Sequence, residues 1–189
     1  MHIQGAGEML TLDELAIQHG TDKSTQYHGY SLIYDAIFSC MRSEPVSLLE
    51  IGVYGGASLR MWRDYFPRGQ ITGIDIMHEC GQHRGDRIRV EIADQRTYTT
   101  DETHDIIIDD GSHDPDHFLE SFRRLWPSVR PGGYYCIEDL SVCGHPRYPE
   151  RYGREMKSFL AVEVYEHLTG RATMARAVTL YPKMLVAIK

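Results

Sequence analysis

Ile106-Ile107-Ile108-Asp109-Asp110-Gly111-Ser112-His113 is the stretch on which the fold turns. An apolar run that stops abruptly at two carboxylates, a glycine and a histidine reads as a buried strand whose C-terminal end opens into a site. A second segment repeats the pattern, Tyr134-Tyr135-Cys136-Ile137 running into Glu138-Asp139. If the two strands are neighbours in a parallel sheet, Asp110, Glu138 and Asp139 meet at one rim, where open α/β sheets bind ligands. Three hard oxygen donors beside a histidine point to a divalent-metal site with a general base.

Outward from these strands the chain alternates helices and strands. Thr11-Leu12-Asp13-Glu14 has the form of a capping box, so a short helix is expected to run to His19 and stop at Gly20. A second helix spans Tyr30 to Met41. Strands are expected at Val46–Ile51, Ile71–Ile76, Ile88–Ile92 and His104–Asp109, with a helix from Ala57 to Phe66 after the first. Asp114-Pro115 supplies an N-cap and a first-turn proline for a helix to Trp126. Pro131-Gly132-Gly133 then turns the chain into a fifth strand, and a helix from about Glu150 to Leu168 follows. Thr173–Leu180 and Met184–Ile188, split by Tyr181-Pro182-Lys183, read as a terminal antiparallel hairpin. The expected fold is α/β: a doubly wound, Rossmann-like, seven-stranded sheet closed by that hairpin. Residues 1–189 are expected to be one domain, with 1–45 a helical cap and 46–189 the cofactor-binding sheet.

Composition narrows the function classes. The 189 residues are 42% hydrophobic with a formal charge of −7, which argues against nucleic acid, since phosphate binding needs a basic face. Cys40, Cys80, Cys136 and Cys143 form no CxxC pair and read as reduced thiols; a zinc role for Cys136, Cys143 and His145 has little support in their spacing. No apolar run reaches the length of a membrane span, and the N-terminus lacks a signal-peptide pattern, so a soluble, cytoplasmic protein is expected.

The first strand-to-helix turn bears on the cofactor. Leu48-Leu49-Glu50-Ile51-Gly52-Val53-Tyr54-Gly55-Gly56-Ala57-Ser58 is a strand, a glycine-rich loop and a helix start, where glycines let backbone approach a ligand and Ser58 offers a hydroxyl. It lacks the GxGxxG spacing of a nicotinamide site and carries Glu50 just before the loop. Asp75 ends the next strand, placed to accept the hydroxyls of a ribose, and Asp94 follows the third. Acids after three successive strands suit S-adenosylmethionine, whose ammonium, ribose and adenine amine all present donors.

Gly20-Thr21-Asp22-Lys23, Leu48 to Gly52, Ser58-Leu59-Arg60-Met61-Trp62, Tyr65 to Gly69, Asp94-Gln95, Ile106 to His113, Pro131 to Tyr135 and Glu138-Asp139-Leu140 together resemble the class I, metal-dependent sugar O-methyltransferases of macrolide (mycinamicin-type) biosynthesis. The resemblance implies that Asp110, Glu138 and Asp139 bind magnesium, with manganese as a substitute, and that His113 is the catalytic base. The residues expected at the cofactor are Lys23, Glu50, Gly52, Ser58, Asp75, Asp94, Gln95 and Asp109. Two departures stand out. About forty-five residues precede the first strand, where family members often carry a large extra domain, so the expected substrate enclosure is smaller or completed by a partner subunit in a homo-oligomer. Ser141 to Pro149 matches no sugar-binding loop of the family.

Other readings stay open at this stage. Asp109-Asp110 is also a helix-capping cluster, His113 also a structural histidine or a metal ligand, and Lys23 either a contact of the cofactor carboxylate or solvated. His117 reads as exposed surface. The chemistry implied is methyl transfer to an alcohol, whose hydroxyl must lose a proton near neutral pH: a cation lowers its pKa while His113 accepts the proton. The acceptor is expected to be a small-molecule sugar or polyketide hydroxyl with a neighbouring oxygen. The alternatives are a methyltransferase-fold enzyme catalysing a non-methylating step such as cyclisation, and a nucleotide-dependent oxidoreductase or binding module.

Overall fold

The computed structural model describes residues 9–141 and 175–189. Helices α1 (Leu12–His19) and α2 (Tyr30–Phe38, extended by a tighter turn over Ser39–Met41) precede the sheet. There follow β1 (Ser47–Ile51), α3 (Ala57–Tyr65), β2 (Gln70–Asp75), β3 (Ile88–Ile92), β4 (His104–Asp109), α4 (Pro115–Leu125), β5 (Val129–Ile137), β6 (Ala177–Tyr181) and β7 (Met184–Ile188). The sheet order is β3-β2-β1-β4-β5-β7-β6, with the first five strands parallel and β7 antiparallel to both β5 and β6. This is the expected doubly wound sheet with a terminal hairpin. The expected helix at 150–168, the start of the hairpin at Thr173, Cys143 and His145 lie outside the described residues.

Local chemistry explains the element ends. The Thr11 side chain accepts the Glu14 N–H while Glu14 reaches back to the Thr11 N–H, and Gly20 ends α1 at a φ of 71°. Asp114 caps α4 by accepting the Asp116 N–H at 3.0 Å. Pro131-Gly132-Gly133 is not the turn expected before β5 but an irregularity inside it. Register jumps from His104 opposite Val129 to Ile106 opposite Tyr134, and Gly132 takes a φ of 81°. The extra residues are held because Gly132 donates to the Lys189 carbonyl and Lys189 donates back to Gly133.

Both faces of the sheet are covered, which is why its strands read as continuous apolar runs. Leu48, Ile106, Ile108 and Cys136 pack with α1, α2 and α3 through Leu12, Tyr34, Phe38 and Trp62. Leu49, Ile107, Tyr135 and Ile137 pack with Phe118, Phe122 and Leu125 of α4. Because side chains alternate along a strand, this parity extends past each strand end. Glu50, Asp110 and Glu138 continue the face of α1–α3, while Asp109 continues the face of α4. The chain order reverses between β1 and β4, so their ends form the switch point where such sheets take ligands.

Far from that rim, His104 is 1% exposed; its Nδ1 lies 3.0 Å from Ser47 Oγ and its Nε2 is buried without a partner among the described residues. Burial, opposed by Glu102, holds its pKa below the ordinary histidine value. The unfolded chain therefore binds the extra proton first, and stability is expected to fall as pH drops below about 6.5. Urea midpoints between pH 7 and 5 should decline less in His104→Gln than in the wild type. Parallel curves would show that His104 is not the group responsible.

Candidate active site

The loop after β1 is shaped by a close approach. Gly52 has a φ of 92°, and a Cβ there would run into the Asp110 carbonyl. Its role is to let the end of β4 lie against that of β1, not only to admit a ligand. Gly52→Ala is expected to cost about 1–3 kcal/mol and to displace Asp110, read as a lower urea midpoint together with weakened magnesium binding. A variant unchanged in both would show that the loop yields without moving the acid.

Asp75 organises the same loop. Its Oδ2 accepts the N–H groups of Val53 and Tyr54 at 2.9 and 3.0 Å, and its Oδ1 that of Met77 at 2.9 Å. Burial opposes its charge, but these backbone donors prevail and hold its pKa below the usual value. Asp94 is drawn down to about 2 by the guanidinium of Arg96. Gln95 donates to Asp109 and Ser121 and accepts the Ser112 N–H at 2.8 Å. Gly52, Ser58, Asp75, Asp94, Gln95, Asp110 and His113 all border one cavity of about 760 Å³, a size usual for small-molecule sites.

Three of the residues expected at the cofactor do not border it. Glu50 is fully buried: it accepts from Ser58 Oγ at 2.7 Å and Trp62 Nε1 at 3.3 Å, and lies 3.5 Å from Lys23 Nζ. The Ser58 hydroxyl is accordingly spent on Glu50, although the residue itself lines the cavity. Asp109 faces α4, as strand parity requires, where burial pushes its pKa up to about 7 beside Gln95 and Tyr135. Lys23 is neither solvated nor at the cavity. Its ammonium sits among acids from three strand ends: Asp110 Oδ2 at 2.5 Å, Glu138 Oε2 at 2.9 Å and Glu50 Oε1 at 3.5 Å. Burial works against that charge, and the surrounding carboxylates more than restore it, so the pKa lies well above the ordinary lysine value.

The predicted metal acids do come together, with unequal surroundings. The Asp110 N–H binds the Ile51 carbonyl and the Glu138 N–H the Asp109 carbonyl, each at 3.0 Å, which locks the ends of β1, β4 and β5 side by side. Ligand atoms of Asp110, His113 and Asp139 lie within 4.8 Å of one another. Glu138 stands behind them, 1% exposed, with Oε2 accepting from Lys23 and Oε1 from Tyr34 Oη at 2.6 Å. Burial is the chief cause that raises its pKa. Each of its oxygens retains a further lone pair. His113 and Asp139 both take left-handed backbone, φ 57° and 55°, which turns them toward each other; His113 Nε2 is 3.8 Å from Asp139 Oδ2, and His113 Nδ1 is buried without a partner among the described residues. Hard oxygens with an imidazole at their edge fit magnesium, or manganese, better than a softer metal. Three carboxylates facing one ammonium, with Asp139 next to them, leave a negative excess that a divalent cation answers.

Three features escape the sequence reading. Tyr30 Oη donates to Asp139 Oδ1 at 2.7 Å, so α2 orients the acids from behind through Tyr30 and Tyr34. Their i, i+4 spacing was the available signal, since it puts both phenols on one helix face. His117 is not idle surface: its Nδ1 lies 2.7 Å from Ser112 Oγ, and both residues line the cavity.

Residues 49–140 match the family model described as a methyltransferase domain. With the seven-stranded sheet, this defines a class I methyltransferase domain. More particularly, it is a homologue of the sugar O-methyltransferases of macrolide and related biosynthesis. It is 39% identical over 72% of its length to the 8-demethyl-8-(2-methoxy-alpha-L-rhamnosyl)-tetracenomycin-C 3'-O-methyltransferase of Streptomyces olivaceus, covering 38% of that protein. It is 42% identical, over the same shares of each chain, to the mycinamicin VI 2''-O-methyltransferase of Micromonospora griseorubida. The MycE methyltransferase of the mycinamycin biosynthetic pathway, solved with Mg, SAH and mycinamycin VI, superposes at a TM-score of 0.83 with 32% identity, over 96% of this chain and 55% of that one. The chain thus spans about two-fifths of the length of the curated relatives it matches. No helix among the described residues is long and apolar enough to cross a membrane.

Proposed function

We propose that this protein is a magnesium-dependent O-methyltransferase that moves the methyl group of S-adenosylmethionine to a hydroxyl of a small natural product, a sugar or polyketide-type molecule. The observation that carries the proposal is the meeting of Asp110 and His113, both at the wall of the cavity built from the loops after β1, β2, β3 and β4, with Asp139 beside them. The relatives' names, all O-methyltransferases of glycosylated or macrolide antibiotics, support the substrate class. In this reading the protein acts on its own small-molecule substrate in the cytoplasm, and residues 1–189 work as one domain.

Asp110 and Asp139 would hold the cation, with Glu138 offering its remaining lone pairs. Bound there, magnesium supplies Lewis-acid polarisation of the acceptor hydroxyl, and S-adenosylmethionine supplies an electrophilic methyl. Gly52, Asp75, Asp94 and Gln95 line the space for the cofactor. His113 takes the proton at Nε2, the ring nitrogen directed at Asp139, as the hydroxyl oxygen forms its bond to the methyl carbon and the carbon–sulfur bond breaks. Tyr30, Tyr34 and Lys23 keep the carboxylates from turning away. Incubation with methyl-labelled S-adenosylmethionine, magnesium and a panel of glycosylated and polyketide alcohols tests the proposal. S-Adenosylhomocysteine release with label in the acceptor is expected. Conversion of an acceptor without label transfer would move the protein to a non-methylating reaction.

A further inference from the structure

We propose that Lys23 is the resident counterion of the acid cluster: a fixed cation that holds Asp110 and Glu138 in place before any divalent ion arrives and, by repulsion, sets how tightly that ion binds. The proposal rests on the cation-site reading above. Its basis is the unusual position of the side chain, fully buried yet with its ammonium hydrogen-bonded to Asp110 and Glu138 at the ends of β4 and β5 and 3.5 Å from Glu50 at the end of β1. A buried ammonium is costly to desolvate, and an apolar side chain of similar volume generally serves packing as well or better. Its presence is therefore explained by the acids. Without it, Glu50, Asp110, Glu138 and Asp139 would place four formal charges at one rim with no lysine or arginine paired to them among the described residues.

The ammonium also leaves room for a second cation. It takes Oδ2 of Asp110 and Oε2 of Glu138, leaving Asp110 Oδ1 and a lone pair on each Glu138 oxygen. Lys23 and a divalent ion thus share carboxylates instead of excluding each other. Two cations bridged by one carboxylate are close enough to repel strongly in a partly buried site. The loop is built to hold the ammonium there, since Ser31 N–H binds the Lys23 carbonyl at 2.8 Å and His28 N–H that of Asp22 at 3.0 Å, tying it to the start of α2.

The test compares magnesium binding by calorimetry, and melting in EDTA and in magnesium chloride, for wild type, Lys23→Met and the double variant Lys23→Met/Glu50→Gln. Lys23→Met is expected to bind magnesium about tenfold or more tightly than wild type. It should melt lower in EDTA and gain more from magnesium than the wild type does. The double variant removes one acid along with the ammonium and restores the formal charge of the cluster, so its affinity should return to within about threefold of wild type. Equal or weaker magnesium binding in Lys23→Met, with an unchanged magnesium-induced rise in melting, overturns the proposal. If Lys23→Met folds in neither buffer, the double variant carries the test: melting in EDTA near the wild type with retained magnesium binding supports the counterion role, and loss of either refutes it. A wild-type protein that binds no magnesium removes the cation reading instead, leaving the EDTA melts to decide whether Lys23 holds the acids.

Discussion

Asp110→Asn is expected to keep the fold and bind S-adenosylhomocysteine while losing methyl transfer by on the order of three decades, the loss expected when a Lewis-acid contribution of several kcal/mol is removed. The amide preserves shape but brings no charge to the point where Asp110 meets Asp139 and His113, and it deprives Lys23 of its nearest acidic partner. Single-turnover rates at rising magnesium concentration provide the measurement. In the wild type, EDTA should abolish turnover and magnesium should restore it; in the variant, magnesium should restore little. Full wild-type turnover in chelator would reduce Asp110, Glu138 and Asp139 to structural or substrate-holding residues.

His113→Asn should lower kcat by about two to four decades, the usual worth of a positioned general base. Asparagine is a better probe than alanine, because the backbone at 113 has a φ of 57° and asparagine tolerates that left-handed conformation without loop strain. Magnesium and cofactor affinities are the discriminating readouts. The same geometry that puts Nε2 near Asp139 also makes His113 a candidate ligand, so retained magnesium affinity with lost turnover identifies a base, whereas a parallel loss of affinity identifies a ligand. Undiminished turnover would require another proton acceptor.

The candidate site was legible in proportion to how local its causes are. Apolar runs ending in acids located β4 and β5, and the parallel pairing of Asp109 with Ile137 brings their following acids to one rim as expected. The capping box and Gly20 delimited α1 because caps act over a few residues. Reading Pro131-Gly132-Gly133 as a turn failed because the bulge depends on the carbonyl and N–H of Lys189, far along the chain. Asp109 and Glu50 were expected at the cofactor from their place in the motifs, yet each points into a packed face. Strand parity would have separated Asp109 from Asp110 had the two covered faces of the sheet been assigned.

By itself, then, the sequence determined the order of strands and helices, the acids at their ends and the glycines between, since each follows from periodicity, capping or backbone freedom within a few residues. Which acid meets which partner was decided by the tertiary structure. Lys23 finds Asp110 across 87 positions and Glu138 across 115, and Tyr34 finds Glu138 across 104. Such pairings depend on which helix covers which face of the sheet. They are driven by the cost of leaving a buried charge without a partner, a cost that arises only once burial is complete.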